Sequence, residues 1–304
     1  MTELSSILSS PDFVLGQLVL IAVAASPLLL LAEVLGRIRL PRRLAGLLRI
    51  DSFEIRTPLS LKLIGLPALI VFLVATGISA SVAPSLFVLI VLGLVAGLVA
   101  TAGLDAIRLP GYLLGYMPLD LPLRFGSMAL GLEKDFKLAM MGNVLPYVRK
   151  ESEKGRKMIG SDGFTPSLSV QEVRQFVLPS LTKVIREKRV SKFRLSAVGY
   201  LWHYMNGASF GITHAILLGS GRGALGFTLT VGFGLLLATV FLLILRFLIP
   251  VMKLGKKLPL VVYLAHINVI WVLALIMQTF VPAEAEGASL VSVVSRILSL
   301  QFGT

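Results

Sequence analysis

Trp202-His-Tyr-Met-Asn-Gly-Ala-Ser-Phe-Gly-Ile-Thr-His214 places two of the chain's three histidines inside an apolar stretch, and its reading decides the fold. On a helix at 100° per residue, His203, Gly207, Gly211 and His214 fall within roughly 80° of one another. One stripe therefore carries two imidazoles separated by two glycines. Imidazoles are costly against hydrocarbon, and Gly207-x-x-x-Gly211 admits another backbone at close range, so this stripe is expected to face protein.

Composition makes the helix a membrane helix. The 304 residues are 56% hydrophobic with mean hydropathy +0.87, and the apolar residues come in blocks long enough to cross a bilayer. Six spans are expected, at 13–36, 59–80, 84–109, 195–218, 224–249 and 258–281, each near the roughly 20 residues that a hydrocarbon core requires. The first has no Lys or Arg before it and no small-residue cleavage pattern after it, which reads as a retained helix rather than a signal peptide. The expected fold class is an all-α polytopic bundle of six transmembrane helices with a cytoplasmic amphipathic-helical insertion.

Charge orients the bundle. Of the 29 Lys and Arg, 27 lie in three blocks, 37–62, 108–194 and 246–257, and the other side keeps only Arg222 and Arg296. The positive-inside rule then puts both termini outside and the long connection between the third and fourth spans in the cytoplasm. The expected organisation is a first three-helix half (1–109), a cytoplasmic and interfacial insertion (110–194), a second three-helix half (195–281) and an outer linker with an amphipathic tail (282–304). The expected setting is a prokaryotic inner membrane. The net charge of +13 is read as attraction to anionic inner-leaflet lipids; with no aromatic-interleaved basic groove, no nucleic-acid partner is expected. With no cysteine, thiolate metal sites, disulfides and thiol catalysis are excluded.

Along the chain, Glu33 sits beside the basic run Arg37 to Arg43 and is read as an interfacial ion pair, and residues 37–58 as an interfacial segment. The third span carries Gly93, Gly97, Thr101 and Asp105 at four-residue spacing, a small-residue stripe that is the natural partner for Gly207 and Gly211. Asp105 has Arg108 at i+3 as a local partner. Residues 108–126 alternate three prolines and three glycines with large apolar residues and read as an irregular re-entrant or interfacial loop, either a lid or a structural cap. Helices are expected from Met128 to about Glu151, and from Ser169, with Glu172 at the capping-box position, to about Arg189; 155–166 is read as a loop. The sixth span carries Tyr263, His266 and Asn268, with Tyr263 and His266 on one face.

The polar centre admits several chemistries. Asp105, His203, Asn206, His214, Tyr263 and His266 are its transport or polar-centre candidates, and no residue is assigned a catalytic role. His203 and His266 each lie about eight residues into their spans, roughly 12 Å deep, which is a placement that axial ligation of haem would need. A divalent metal or proton site from Asp105, His203 and His266 is a second possibility. A third is a purely structural lock, in which histidine and Asn206 or Asn268 hydrogen-bond across a close-packed glycine interface.

Two resemblances bear on this. His203-Tyr-Met-Asn-Gly207 resembles the haem-ligating helix of succinate dehydrogenase membrane-anchor subunits, although Phe210-Gly211 stands where those carry Arg-His. That likeness implies haem as a cofactor bound by His203, with His266 added from depth alone. Gly97-Leu-Val-Ala-Thr101 with Asp105, the loop Gly115-Tyr-Met-Pro-Leu-Asp-Leu-Pro122, and His203 with Gly207 and Gly211 together resemble uncharacterised prokaryotic multi-pass membrane proteins. The expected function is a non-enzymatic subunit of a membrane complex or a small-solute carrier organised around His203, with a haem b electron-transfer subunit as the alternative. The two halves run in opposite directions, which permits an inverted repeat.

Overall fold

The computed structural model describes residues 2–35, 64–132, 134–136, 138–140, 142–144, 146–147, 168–248 and 256–302, and it is all-helical, with no strand among them. The expectations for 37–58 and 155–166, and the side chain of Glu33, lie outside the described residues. The helices are α1 (Thr2–Leu8), α2 (Pro11–Leu35), α3 (Leu66–Val82), α4 (Pro84–Leu113), α5 (Leu121–Ala129), α6 (Val170–Glu187), α7 (Lys192–Leu218), α8 (Gly223–Leu248), α9 (Lys257–Phe280), α10 (Ala283–Glu286) and α11 (Leu290–Phe302).

Four of these, α2, α4, α8 and α9, are long and apolar enough to cross a membrane. α3 is as apolar but only 17 residues long. α7 is 27 residues long, and its histidines, Asn206 and hydroxyl residues hold its apolar character below that of the four.

The chain groups into two compact units, Met1–Asp105 with Tyr204–Thr239 and Ala265–Thr304, and Ala106–His203 with Val240–Leu264. The first unit is built on contact between α4 and α7. A Cβ added at Gly93 would lie 2.7 Å from the Ala215 Cβ and 2.8 Å from the Gly211 carbonyl oxygen. One at Gly97 would strike the Gly207 carbonyl, and one at Gly211 the Gly93 carbonyl. The four glycines thus let two backbones touch, where a side chain on either helix would hold them apart. Around them pack Val19 of α2, Leu86, Leu89 and Ile90 of α4, Ile212, Ala215 and Ile216 of α7, and Leu273 and Met277 of α9. The turn between α7 and α8 is tied to the end of α9 by Arg222, whose guanidinium donates to the carbonyls of Gln278 at 2.7 Å and Val281 at 2.8 Å.

In the second unit the irregular part of 108–126 is shorter than the prolines imply. α4 runs through Pro110 to Leu113, since a proline in the last turns removes a single hydrogen bond. The helix stops because Gly115 takes a left-handed φ of +78° and the Tyr116 amide returns to the Gly111 carbonyl at 2.8 Å, closing a Schellman turn. α5 then begins behind Asp120 and Leu121-Pro122. The helix expected from Met128 is interrupted in the same way, at Gly131 with φ +71°, and residues 134–136, 138–140, 142–144 and 146–147 are helical again.

α6 starts on the capping box. The Glu172 amide donates to the Ser169 hydroxyl at 3.3 Å, and the Ser169 amide donates to the Glu172 carboxylate at 2.7 Å. The Ser169 backbone, then its hydroxyl, then the Tyr147 hydroxyl hold the Glu172 carboxyl below the usual carboxylate range, against a smaller upward effect of burial. A lowered folded pKa means that this contribution to stability is present above the ordinary glutamate value of roughly 4.3 and is lost as pH falls through the lowered one. The hydrogen-exchange protection of the first turn of α6, relative to the unstructured rate, is therefore expected to fall on acidification below about pH 4, and Glu172→Gln to flatten that dependence; an identical profile in the variant would remove the assignment.

Gly77 and Gly207 stand at opposite extremes of crowding. A Cβ at Gly77 in α3 meets nothing within 4 Å, whereas one at Gly207 meets the Thr101 side chain and the Gly97 carbonyl. Gly77→Ala is expected to stabilise the detergent-solubilised protein by roughly 0.5–1 kcal/mol, and Gly207→Ala to destabilise it by about 1–3 kcal/mol. Thermal unfolding of the two variants beside the parent checks both signs.

Candidate functional site

Three polar side chains of the first unit, Asn206, His214 and Asn268, bond from one helix to another. On α7, Asn206 is 5% exposed and its Oδ1 accepts from the Ser26 hydroxyl of α2 at 2.7 Å. Two turns on, fully buried His214 meets Thr230 of α8, Nε2 to Oγ1, at 2.9 Å, with the Phe233 ring edge-on at 5.8 Å. The Thr230 hydroxyl donates its own hydrogen to the Gly226 carbonyl at 3.0 Å. With the Thr230 hydrogen so placed, the Nε2–H tautomer of His214 donates to Oγ1. On α9, Asn268 Nδ2 donates to the Gly103 carbonyl of α4 at 2.6 Å. On α4 itself Thr101 turns its hydroxyl back to the Gly97 carbonyl at 2.7 Å, directly under Gly207.

The remaining candidates lie apart from these bonds. Asp105 and His266 are half-buried in the first unit; Tyr263, also half-buried, belongs to the second. His203 belongs to the second unit too, is 8% exposed, and its ring sits 6.0 Å from that of Phe125 at a 37° tilt. Among the described residues, no group of three or more His, Cys, Asp or Glu side chains is placed to hold a metal ion.

Phe125 is presented by α5, which rests on the first turns of α7 through a second glycine contact. A Cβ at Gly126 would strike the Leu195 carbonyl and one at Gly199 the Pro122 carbonyl. Gly199 extends the Gly207 and Gly211 series by two steps of four, with His203 between, so its signal was present in the spacing.

Cations from four helices gather around the loop joining α4 to α5. Buried Arg108 donates to Asp120 at 2.6 Å, and the two side chains are 2% and 13% exposed. Arg124, 4% exposed, stacks 4.0 Å from the centre of the Phe136 ring. Arg174 of α6 lies 4.4 Å over the Tyr112 ring and donates to the Tyr112 carbonyl; Lys257 lies 4.9 Å over Tyr116. Asp120 stands at the N-cap position of α5, yet its carboxylate is turned to Arg108 instead of the helix amides. A desolvated guanidinium demands a counter-charge more strongly than an amide demands a cap. Nothing in the local sequence marks that choice, since the partner is 12 residues away.

Comparison of the chain with protein-family models, with curated proteins and with solved structures finds no match.

The His214–Thr230 bond is testable as a pair. Thr230→Val is expected to cost about 1–3 kcal/mol by leaving Nε2–H buried without an acceptor, and Thr230→Val combined with His214→Phe to cost less than the sum of the singles. Additive losses in chemical denaturation would show that the pair does not act as a unit.

Proposed function

We propose that this protein is a non-enzymatic membrane component, a six-span subunit of a larger assembly, in which the intramembrane polar residues lock helices together. The observation that carries the reading is the α4–α7 backbone contact together with the bonds that Asn206, His214 and Asn268 each make to another helix. Polar groups used this way hold a bundle in one arrangement, whereas a carrier needs an interface that opens and closes. Four helices of spanning length and composition support the membrane setting. Six spans are reached by adding α7 and α3; α3 turns Leu66, Leu69, Ile70, Leu73, Val74 and Ile78 outward, as a lipid-facing helix would.

The same reading places both termini outside an inner membrane and the second unit, with α6, against anionic lipids of the cytoplasmic leaflet. Its support is the separation of 27 basic residues from Arg222 and Arg296. Because the chain has no cysteine, single cysteines report topology directly. Gly160→Cys is expected to label only after the membrane is permeabilised and Glu284→Cys in intact cells; the reverse pattern would sink the topology.

The subunit role predicts that mild extraction yields a particle larger than the 32.7 kDa chain, with a second polypeptide at fixed stoichiometry. A homogeneous monomer that drives solute flux in liposomes would replace this reading with the carrier. A Soret band that shifts on dithionite reduction and is lost in His203→Ala would replace it with a haem subunit.

A further inference from the structure

We propose that the turn joining α6 to α7 anchors the protein on anionic phospholipid, with the Phe193 ring inserted in the cytoplasmic leaflet and Arg186, Arg189, Lys192 and Arg194 on the headgroups around it. The proposal rests on the reading that the second unit meets that leaflet, and it names the place of contact.

Phe193 is 83% exposed, more than any other large apolar side chain among the described residues. Ile21 of α2 and Leu275 of α9, on helices of spanning length and composition, follow at 69%. A ring that projects this far is costly in water and fits an apolar layer that surrounds it from outside.

The backbone fixes that projection from both sides. α6 ends in a Schellman motif, in which the Val190 amide donates to the Ile185 carbonyl at 3.1 Å and the Arg189 amide to the Arg186 carbonyl at 3.2 Å. α7 then starts behind Ser191, whose hydroxyl accepts from the Arg194 amide at 3.1 Å. Within the motif Arg189 takes a left-handed φ of +53°, the one non-glycine residue to do so among the described residues. Glycine is what this position favours. An arginine held there at a conformational cost supplies a charge that glycine would not.

Residues 186–194 carry five cations and one carboxylate. Lys188 is paired with Asp135 at 3.1 Å, and the Glu187 carboxylate with Lys183 at 3.9 Å. Arg186, Arg189, Lys192 and Arg194 are exposed and have no ion pair among the described residues. The surface around the ring is therefore positive and calls for an anionic occupant. With α7 read as a span, its first turn stands at headgroup level, where long basic side chains reach phosphates while an aromatic ring enters the apolar layer. That depth favours lipid over an acidic segment of a partner protein.

The test places bimane on Phe193→Cys in the full chain, which has no other cysteine. The labelled protein is held in nanodiscs of equimolar phosphatidylglycerol and phosphatidylcholine, with a nitroxide on the acyl chains of one lipid or the other. Quenching by both lipids is expected, stronger from phosphatidylglycerol, with little quenching by aqueous iodide. Adding Arg189→Gly should lower the preference for phosphatidylglycerol about fivefold, the loss of one cation near an anionic surface. The same change should raise the midpoint of thermal unfolding, because glycine relieves the left-handed position. Opposite signs for lipid binding and stability separate the anchor from a structural role. Lys192→Gln, at an exposed position, should lower the preference by a similar factor and carries the test if Arg189→Gly does not fold.

Equal quenching by the two lipids, or an unchanged preference in Arg189→Gly and Lys192→Gln, would overturn the proposal. Quenching by iodide alone would put the ring in water, give the turn to a protein partner and overturn it too. With Gly160→Cys still labelled only from inside, any of these results removes the anchor and leaves the topology. Labelling of Gly160→Cys from outside removes the reading beneath it.

Discussion

Backbone contact between α4 and α7 is the constraint on which the first unit depends. In a bilayer the lipid tails are as apolar as leucine, so helices gain little from burying apolar side chains against one another. They gain instead from fit. Gly93, Gly97, Gly207 and Gly211 bring carbonyls of one helix against Cα atoms of the other, which maximises dispersion contact over a short stretch. Thr101 completes the surface with its hydroxyl folded onto its own helix.

That closeness sets the polar chemistry around it. With α4 and α7 in contact, Asn206 is turned towards α2 and His214 towards α8, and each finds a hydroxyl there. Asn268 of α9 reaches a carbonyl of α4 one step of small residues further along, at Gly103. Each bond joins a different pair of helices, so together they specify which neighbours surround the central pair. Lipid offers no alternative partners to Asn206 Oδ1, His214 Nε2 and Asn268 Nδ2, and the interhelix bonds satisfy these atoms.

The second unit solves a different problem, that of placing Arg108 and Arg124 in its interior and seating Arg174 and Lys257 nearer its surface. Asp120 answers Arg108, while the Phe136, Tyr112 and Tyr116 rings receive Arg124, Arg174 and Lys257. Aromatic faces accept a cation without cancelling its charge. The loop between α4 and α5 is thereby held by several elements while its surroundings stay positive, which is the property that an anionic ligand or membrane surface would read.

By itself the sequence determined the helical character, the membrane-length apolar blocks, the small-residue stripes at four-residue spacing and the Ser169–Glu172 cap, because each is a periodic or local signal within one segment. It did not mark the pauses at Gly115 and Gly131, reading 108–126 as one irregular loop and a single helix from Met128, and it overstated the damage done by Pro110, since only position within the helix decides what a missing amide costs. The tertiary structure decided what no segment contains. Ser26 lies 180 residues from Asn206 and Gly103 lies 165 from Asn268, and both serine and glycine are common in such helices, so neither pairing leaves a trace in spacing. The Arg108–Asp120 bond, the Gly126–Gly199 contact and the rings beneath three cations likewise depend on how the chain turns back. Periodicity tells which face of a helix is buried; only packing tells against what.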